Sequence, residues 1–344
     1  MIQFDNSDEI VEGKLCDRYD EEHSMRILFL RTQECLHHSY QSLVNALGGQ
    51  HSIEALDPTA PLLEQFENID VVIDPGGAVA TRKMIDAAHE TGVKLWHVTT
   101  NGLDHVDVPY FLEKHVPLAN CPGPISAVPL AEHAIWFILC FAKNLTLNRT
   151  KEWARTINED LEGKTLGIIG LGSSGRELAK RAWPFGLRIV ALDAVTMPQA
   201  VLRKLHVESL GSLDQLDQVV AEADYLSLHV PLTTKTRHLI DRHVLSLMKA
   251  TAVLINVARG ELVDEDALIE TLEKRRIKGA ALDVFAEEPI DPQHPFLRMD
   301  NVITTPHVAG FTTGTWQRRT EAAAKNIFRL ADGLPPVHQV KSIE

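Results

Sequence analysis

Residues 165–193 constrain this 344-residue chain more than any other stretch. A short apolar run, 165–169, leads into Gly170-Leu-Gly172-Ser173-Ser174-Gly175, and a polar segment with helical spacing follows over 176–183. The next apolar run ends on Asp193, 23 positions beyond the first glycine. A G-x-G-x-x-G stretch on its own marks many surface turns. Between a strand and a helix, with an acid closing the following strand, it carries chemistry. The glycines let backbone approach a pyrophosphate at a helix N-terminus, and the acid bonds the hydroxyls of an adenosine ribose. The order predicts a dinucleotide site. Ala194-Val195-Thr196 supplies no Arg, so a 2′-phosphate would meet a carboxylate without a cation; this favours NAD over NADP.

The rest of the second half keeps the same rhythm. Strands are predicted at 165–170, 188–193, 223–230, 252–257, 278–284 and 302–305, with helical segments between them. Apolar runs without polar alternation, separated by helices, mean βαβ units and a parallel sheet covered on both faces. Ser212-x-x-Gln215 is a capping-box pattern ahead of a helix at 216–223. Asp264-Glu265-Asp266 opens another helix that closes on Lys274-Arg275-Arg276, charges matched to the dipole, with Gly279 after the stop. The first half shows shorter versions at 26–30, 70–73 and 94–98. Pro122-Gly123-Pro124 breaks the chain before a long helix predicted at 127–147 and marks a domain boundary. An amphipathic segment, 314–331, is expected to return and pack on the first half. The expected fold is α/β: two doubly wound parallel-sheet domains with a cleft between them. Residues 25–125 with 312–344 form a discontinuous substrate domain, 126–311 the dinucleotide domain, and 1–24 an acidic tail.

Composition narrows the classes of function. A net charge of −13 argues against a main role in gripping nucleic acid or an anionic membrane. Residues 1–24 hold eight acids against Lys14 and Arg18, with neither the basic nor the apolar region of a secretion signal. Cys16, Cys35, Cys121 and Cys140 fall outside any CxxC spacing and read as reduced thiols of a cytosolic protein, with no zinc site. The most apolar run, 134–142, has nine residues against the roughly 20 of a spanning helix, so it is expected as a buried helix.

Four later strands end on polar residues: His229-Val230-Pro231, Asn256-Val257-Ala258-Arg259-Gly260, Asp283, and Pro306-His307. Ligands of doubly wound sheets bind outside the carboxyl ends of the strands. Singly, each residue has an ordinary structural reading as a solvated His, a loop cap or an N-cap. Together, two His, an Arg and an Asp converging on one crevice have the signature of a site. A nicotinamide exchanges hydride, so the protein must handle a proton and hold the substrate. Imidazole suits the proton, a carboxylate neighbour (Glu287 or Glu288) would keep it charged, and an Arg would clamp a carboxylate beside the carbonyl. These groups point to a 2-oxo acid/2-hydroxy acid pair.

From about residue 26 to 338 the chain resembles the D-isomer-specific 2-hydroxyacid dehydrogenases. The resemblance rests on Gly170–Gly175 with Asp193, His229-Val-Pro231-Leu-Thr233, Asn256-Val-Ala-Arg-Gly260, Ala281-Leu-Asp-Val-Phe285, Glu288-Pro289 and Pro306-His-Val-Ala-Gly310. It implies a Rossmann domain for NAD, with Arg259 as substrate clamp, His307 as acid/base, Glu288 as its partner and Asp283 beside the nicotinamide. It further implies cofactor contacts from Ser173, Ser174, His229, Val230, Pro231, Thr236, Val257, Ala258, Arg259, His307 and Gly310. In the first half, Asn101-Gly102-Leu-Asp104-His-Val-Asp107 matches the loop whose N–H groups receive the substrate carboxylate, naming Asn101 and Gly102. A cytoplasmic homodimer is implied as well. Ser173-Ser174 depart from the Arg-Ile pair common in the glycine motif, and Asn101 stands where many relatives have a small residue. Formate dehydrogenases pair the site His with Gln, which Glu288 argues against; corepressors that sense NAD(H) keep the triad and stand as the alternative from another class.

Overall fold

The computed structural model describes residues 2–4, 24–30, 36–76, 80–145 and 157–343. Most of the acidic tail, Cys16, Cys35, Gly77 and the end of the predicted 127–147 helix lie outside them. The chain divides into two compact units, Met1–Ile125 with Thr313–Glu344, and Ser126–Thr312.

In the first unit the chain runs β1 (Ile2–Phe4), β2 (Arg26–Phe29), α1 (Leu36–Leu47), β3 (Ser52–Ala55), α2 (Leu62–Phe66), β4 (Val71–Asp74), α3 (Arg82–Thr91), β5 (Leu95–Val98), α4 (Val108–Glu113) and β6 (Leu118–Asn120). Among the described residues, five of these strands form a parallel sheet in the order β3-β2-β4-β5-β6. β4 and β5 are buried along their whole length, the mark of a strand covered on both faces. On one face Trp96 packs between Phe66 and Phe111. The sequence reading misses β3 and β6: β3 is half-exposed, and β6 has only three residues, so neither shows an apolar run.

Asp74, at the end of β4, is fully buried. It accepts from the Gly76 N–H at 2.9 Å and the Trp96 indole N–H at 3.4 Å. Burial dominates these bonds and pushes its carboxyl up to about 6. The folded chain therefore holds this proton more tightly than the unfolded one. The stability it contributes is present at acid pH and lost as pH rises through about 6, up to about 3 kcal/mol. Asn mimics the neutral carboxyl, so Asp74→Asn is expected to match wild type near pH 4 and exceed it increasingly towards pH 7. Urea unfolding across that range checks this; a constant difference between the two proteins contradicts it.

The second unit begins within α5 (Pro124–Ala142) and continues β7 (Thr165–Ile169), α6 (Ser173–Ala182), β8 (Arg188–Leu192), α7 (Gln199–Leu205), β9 (Val207–Gly211), α8 (Leu216–Glu222), β10 (Tyr225–Leu228), α9 (Arg242–Leu247), β11 (Val253–Asn256), α10 (Glu265–Glu273), β12 (Gly279–Leu282) and β13 (Val302–Thr304). Its described strands are all parallel, in the order β13-β12-β11-β10-β7-β8-β9. Strand order reverses at β7/β10, and in such sheets the crevice at that point takes the ligand. The edge strand β9 is missed by the sequence reading because most of it is exposed or half-exposed.

Several local expectations need correction. The capping box fails: Ser212 makes no side-chain cap, its hydroxyl bonding Asp214 instead, and a 3-10 turn Leu213–Gln215 precedes α8. Asp264 does cap α10, accepting from the Ala267 N–H, but the helix ends at Glu273, before the basic run. α5 starts at Pro124 instead of 127 and ends at Ala142, with turn at 143–145 where helix was expected; its 19 residues are long and apolar enough to cross a membrane by length and composition. Ten of its side chains are buried, and Ala131, Ala134, Phe137, Ile138 and Phe141 pack into a core of the second unit. Pro129 lies inside this helix and has no N–H for the Ile125 carbonyl; that carbonyl accepts from Arg318 Nε at 2.9 Å.

The chain then returns to the first unit through α11 (Thr313–Ala331) and β14 (Val340–Ile343). Ala323, Ala324, Ile327 and Ala331 of α11 pack with Leu43 and Leu47 of α1 under the sheet. β14 pairs antiparallel with β1. Cys121 and Cys140 are buried free thiols, and burial pushes Cys121 up to about 12.

Candidate active site

The glycine motif begins where β7 ends. Gly170 has φ +100°, and a Cβ there would lie 2.7 Å from the His229 backbone and 2.9 Å from Val230 Cγ1. Gly175 is as constrained, since its Cβ would fall 2.0 Å from the Gly170 carbonyl oxygen. Gly172 is the opposite case. It is exposed, and its Cβ would meet nothing within 4 Å. Gly172 is also the N-cap of α6, with no side-chain cap bond and no acid in the first turn. Open space at a helix N-terminus is what a pyrophosphate requires, so these residues fit the dinucleotide implied by the motif.

Asp193, just past β8, accepts from the Leu171 N–H at 2.6 Å and the Val195 N–H at 2.8 Å. The acid thus fixes the glycine turn from the neighbouring strand. His229, just past β10, is bonded on both ring nitrogens, to Ser227 Oγ at 2.9 Å and Ser174 Oγ at 3.0 Å. Burial pushes it down to about 4, so it is neutral at physiological pH. The Ser at position 174 thereby ties the first turn of α6 to β10. Thr236 donates to the Pro231 carbonyl at 2.7 Å and closes the loop after His229.

Arg259 follows β11 in a loop strapped by buried Asn256, whose amide donates to the Arg259 carbonyl at 2.8 Å and accepts from the Ala258 N–H at 3.1 Å. The Arg259 guanidinium donates to the Ala258 carbonyl at 2.7 Å. Gly260 lets this loop press on the next: a Cβ there would stand 1.8 Å from the Phe285 carbonyl carbon. Glu288, in that next loop, accepts from the Phe285 N–H at 3.0 Å and pairs with His307 Nδ1 at 2.6 Å. Of the two acids in Ala286-Glu287-Glu288-Pro289, Glu288 is the partner of His307. Burial raises the Glu288 carboxyl, but the His307 hydrogen bond and charge, the Phe285 N–H and the Arg259 charge outweigh it. The net effect holds Glu288 below the usual carboxylate range.

His307 itself sits at φ +52°, a left-handed conformation costly for a non-glycine residue unless its surroundings enforce it. Asp283 enforces it. Its backbone carbonyl accepts from the His307 N–H at 2.7 Å, and its buried carboxylate accepts from Val308 and Ala309 N–H, both at 2.9 Å. Asp283 is therefore the hub of the loop after β13. Gly310 lies in the turn beyond, where the Thr312 N–H reaches its carbonyl. The ends of the adjacent strands β11, β12 and β13 thus bring Arg259, Glu288, His307 and Asp283 into one loop cluster, with β10 between β11 and the strand that carries the glycine turn.

Asn101 and Gly102 belong to the first unit, in the loop after β5. Their carbonyls accept from Asn120 Nδ2 at 2.6 Å and Thr100 Oγ1 at 3.0 Å respectively. The sequence reading overlooks His133, whose Nε2 lies 3.0 Å from Thr305 Oγ1, with Thr305 donating to Asp283 at 2.5 Å. Its one signal was a lone histidine in the middle of the most apolar helix of the chain. No group of three His, Cys, Asp or Glu side chains set to hold a metal occurs among the described residues.

Comparisons with known proteins identify a family. The family model described as D-isomer specific 2-hydroxyacid dehydrogenase, NAD binding domain, matches residues 137–309. The chain is 35% identical over 280 residues to hydroxypyruvate reductase of Thermotoga maritima, covering 77% of this chain and 88% of that protein. It is 38% identical over 279 residues to D-3-phosphoglycerate dehydrogenase of Methanocaldococcus jannaschii, covering 79% of this chain but spanning about half (52%) of that longer protein. The fold superposes on D-lactate dehydrogenase with NAD+ from Lactobacillus jensenii with a TM-score of 0.76 at 28% identity, covering 93% and 100% of the two chains. The glycine turn, the strand-end cluster and these likenesses lead to one conclusion: the chain belongs to the D-isomer specific 2-hydroxyacid dehydrogenase family, with a nicotinamide dinucleotide-binding Rossmann domain.

Proposed function

We propose that the protein interconverts a small 2-oxo acid and its D-2-hydroxy acid with NAD(H). The observation that carries this is the His307–Glu288 pair at 2.6 Å, with Arg259 near enough for its charge to act on Glu288. When bound, the nicotinamide supplies or accepts the hydride. His307 Nε2 gives a proton to the forming hydroxyl, or takes it in reverse, while Nδ1 stays bonded to Glu288, which stabilises the imidazolium. Arg259 binds the substrate carboxylate and polarises the adjacent carbonyl. Asn101 and Gly102 receive the carboxylate through backbone N–H groups; the inward ties on their carbonyls support that orientation. Gly170, Gly172, Ser173, Ser174 and Gly175 cradle the pyrophosphate, with His229, Val230, Pro231, Thr236, Val257, Ala258 and Gly310 around the cofactor. Asp193 selects NAD, because a 2′-phosphate would face its carboxylate. Residues 25–125 with 312–344 act as the substrate domain, and the enzyme works as a cytoplasmic homodimer without nucleic acid or membrane partners.

A panel including glyoxylate, hydroxypyruvate and larger 2-oxo acids, followed by loss of reduced-nicotinamide absorbance, is expected to find at least one turned over with NADH in preference to NADPH. NADH binding without turnover of any would favour the NAD(H)-sensing corepressor reading. NAD reduction by formate would favour a formate dehydrogenase, which the carboxylate at 288 opposes.

A further inference from the structure

We propose that His133 is a positioning residue for His307, acting through the Thr305 hydroxyl and the Asp283 carboxylate. The proposal rests on the reading of His307 as the acid/base. Thr305 has one hydroxyl proton and donates it to Asp283 at 2.5 Å. Its oxygen can therefore only accept from His133, 3.0 Å away, which places the imidazole proton on Nε2. His133 is held for this task, with the rings of Trp136 and Phe137 edge-on to it at 5.2 and 4.6 Å. The Asp283 carboxylate, 3.8 Å from Nε2, is 1% exposed. Burial keeps His133 below its ordinary value against the opposing pull of Asp283, so the neutral ring donates one directed bond.

The chain of bonds ends where strain is stored. Asp283 holds three consecutive N–H groups, those of His307, Val308 and Ala309, in the turn that gives His307 its φ of +52°. A carboxylate that lost the Thr305 bond could rotate, and the left-handed residue would relax away from Glu288. His133 never meets the reacting atoms. Its contribution is to stop that rotation from the far side of the hub.

Three single variants separate this role from plain packing. His133→Phe keeps a ring against Phe137 and loses the donor; His133→Gln keeps an amide N–H at similar reach and loses the ring; Thr305→Val removes the relay. His133→Phe and Thr305→Val are each expected to lower kcat about tenfold, the scale of one directed hydrogen bond, with KM for NADH unchanged. His133→Gln should stay within about threefold of wild type, and the double variant His133→Phe/Thr305→Val should lose no more than either alone. Hydrogen exchange supplies a readout free of turnover: the Val308 and Ala309 amides should exchange faster in the Phe and Val variants and at the wild-type rate in the Gln variant. Wild-type kcat and exchange in His133→Phe, equal impairment of Gln and Phe, or additive losses would overturn the proposal. Should wild type reduce no 2-oxo acid, the reading of the reaction fails, and the exchange rates alone decide the positioning role.

Discussion

His307→Gln is expected to lower kcat for any active 2-oxo acid by about 10²–10³-fold while NADH binds as in wild type. Gln preserves a polar side chain of similar reach and can still meet Glu288, so the loop should hold. It cannot give up a proton near neutral pH. The split between lost turnover and retained cofactor affinity is the point of the experiment, because His307 sits beyond β13 while the pyrophosphate cradle sits at β7, separated by three strands of the sheet. Equilibrium titration with NADH and steady-state kinetics on one preparation check both halves. Retained turnover, or a matching loss of NADH affinity, contradicts the assignment.

Arg259→Ala should act differently. A guanidinium that clamps a carboxylate contributes to binding and to polarising the carbonyl, so KM should rise and kcat fall. Truncating one member of a close charge pair costs about 2–5 kcal/mol, so kcat/KM should fall by about 30- to 5,000-fold. Arg259→Lys should recover little, since an ammonium lacks the planar fork that meets a carboxylate with two bonds. The loop should survive, because Asn256 straps its backbone through the Ala258 N–H and the Arg259 carbonyl. Kinetics with a good substrate and with one lacking the carboxylate test this: the penalty should vanish for the second. A penalty equal for both would assign Arg259 to the fold.

The interior of each sheet was legible because a strand buried on both faces is mostly apolar: β4, β5, β7, β10, β11 and β12 are buried at every position, with Asp74, His97, Thr165, Ser227 and Asn256 as their polar members. Edge strands carry no such obligation. β3 and β9 are exposed at alternate or successive positions and read as loop. The glycine turn was legible for a similar reason, since close approach permits only one residue type at 170 and 175. His307 and Glu288 were named through their motifs: the residue chemistry left Glu287 and Glu288 open, the family resemblance named Glu288, and Glu288 is the acid that stands 2.6 Å from His307. His133 was illegible. Its partner Thr305 is 172 positions away, and only the packing of α5 against the sheet brings the two together. The Ser212 capping box failed for a local reason: the hydroxyl found Asp214 two residues on, a competition that short polar side chains often enter.

The most direct test uses NADH carrying deuterium at the transferable position of the nicotinamide, with an active 2-oxo acid in ordinary water. The product is expected to be the D-2-hydroxy acid with deuterium at C2 and none on its oxygen-bound position after exchange. Product without deuterium at C2 would contradict a site in which hydride arrives from the bound cofactor, and product of L configuration would contradict the D-specific reaction.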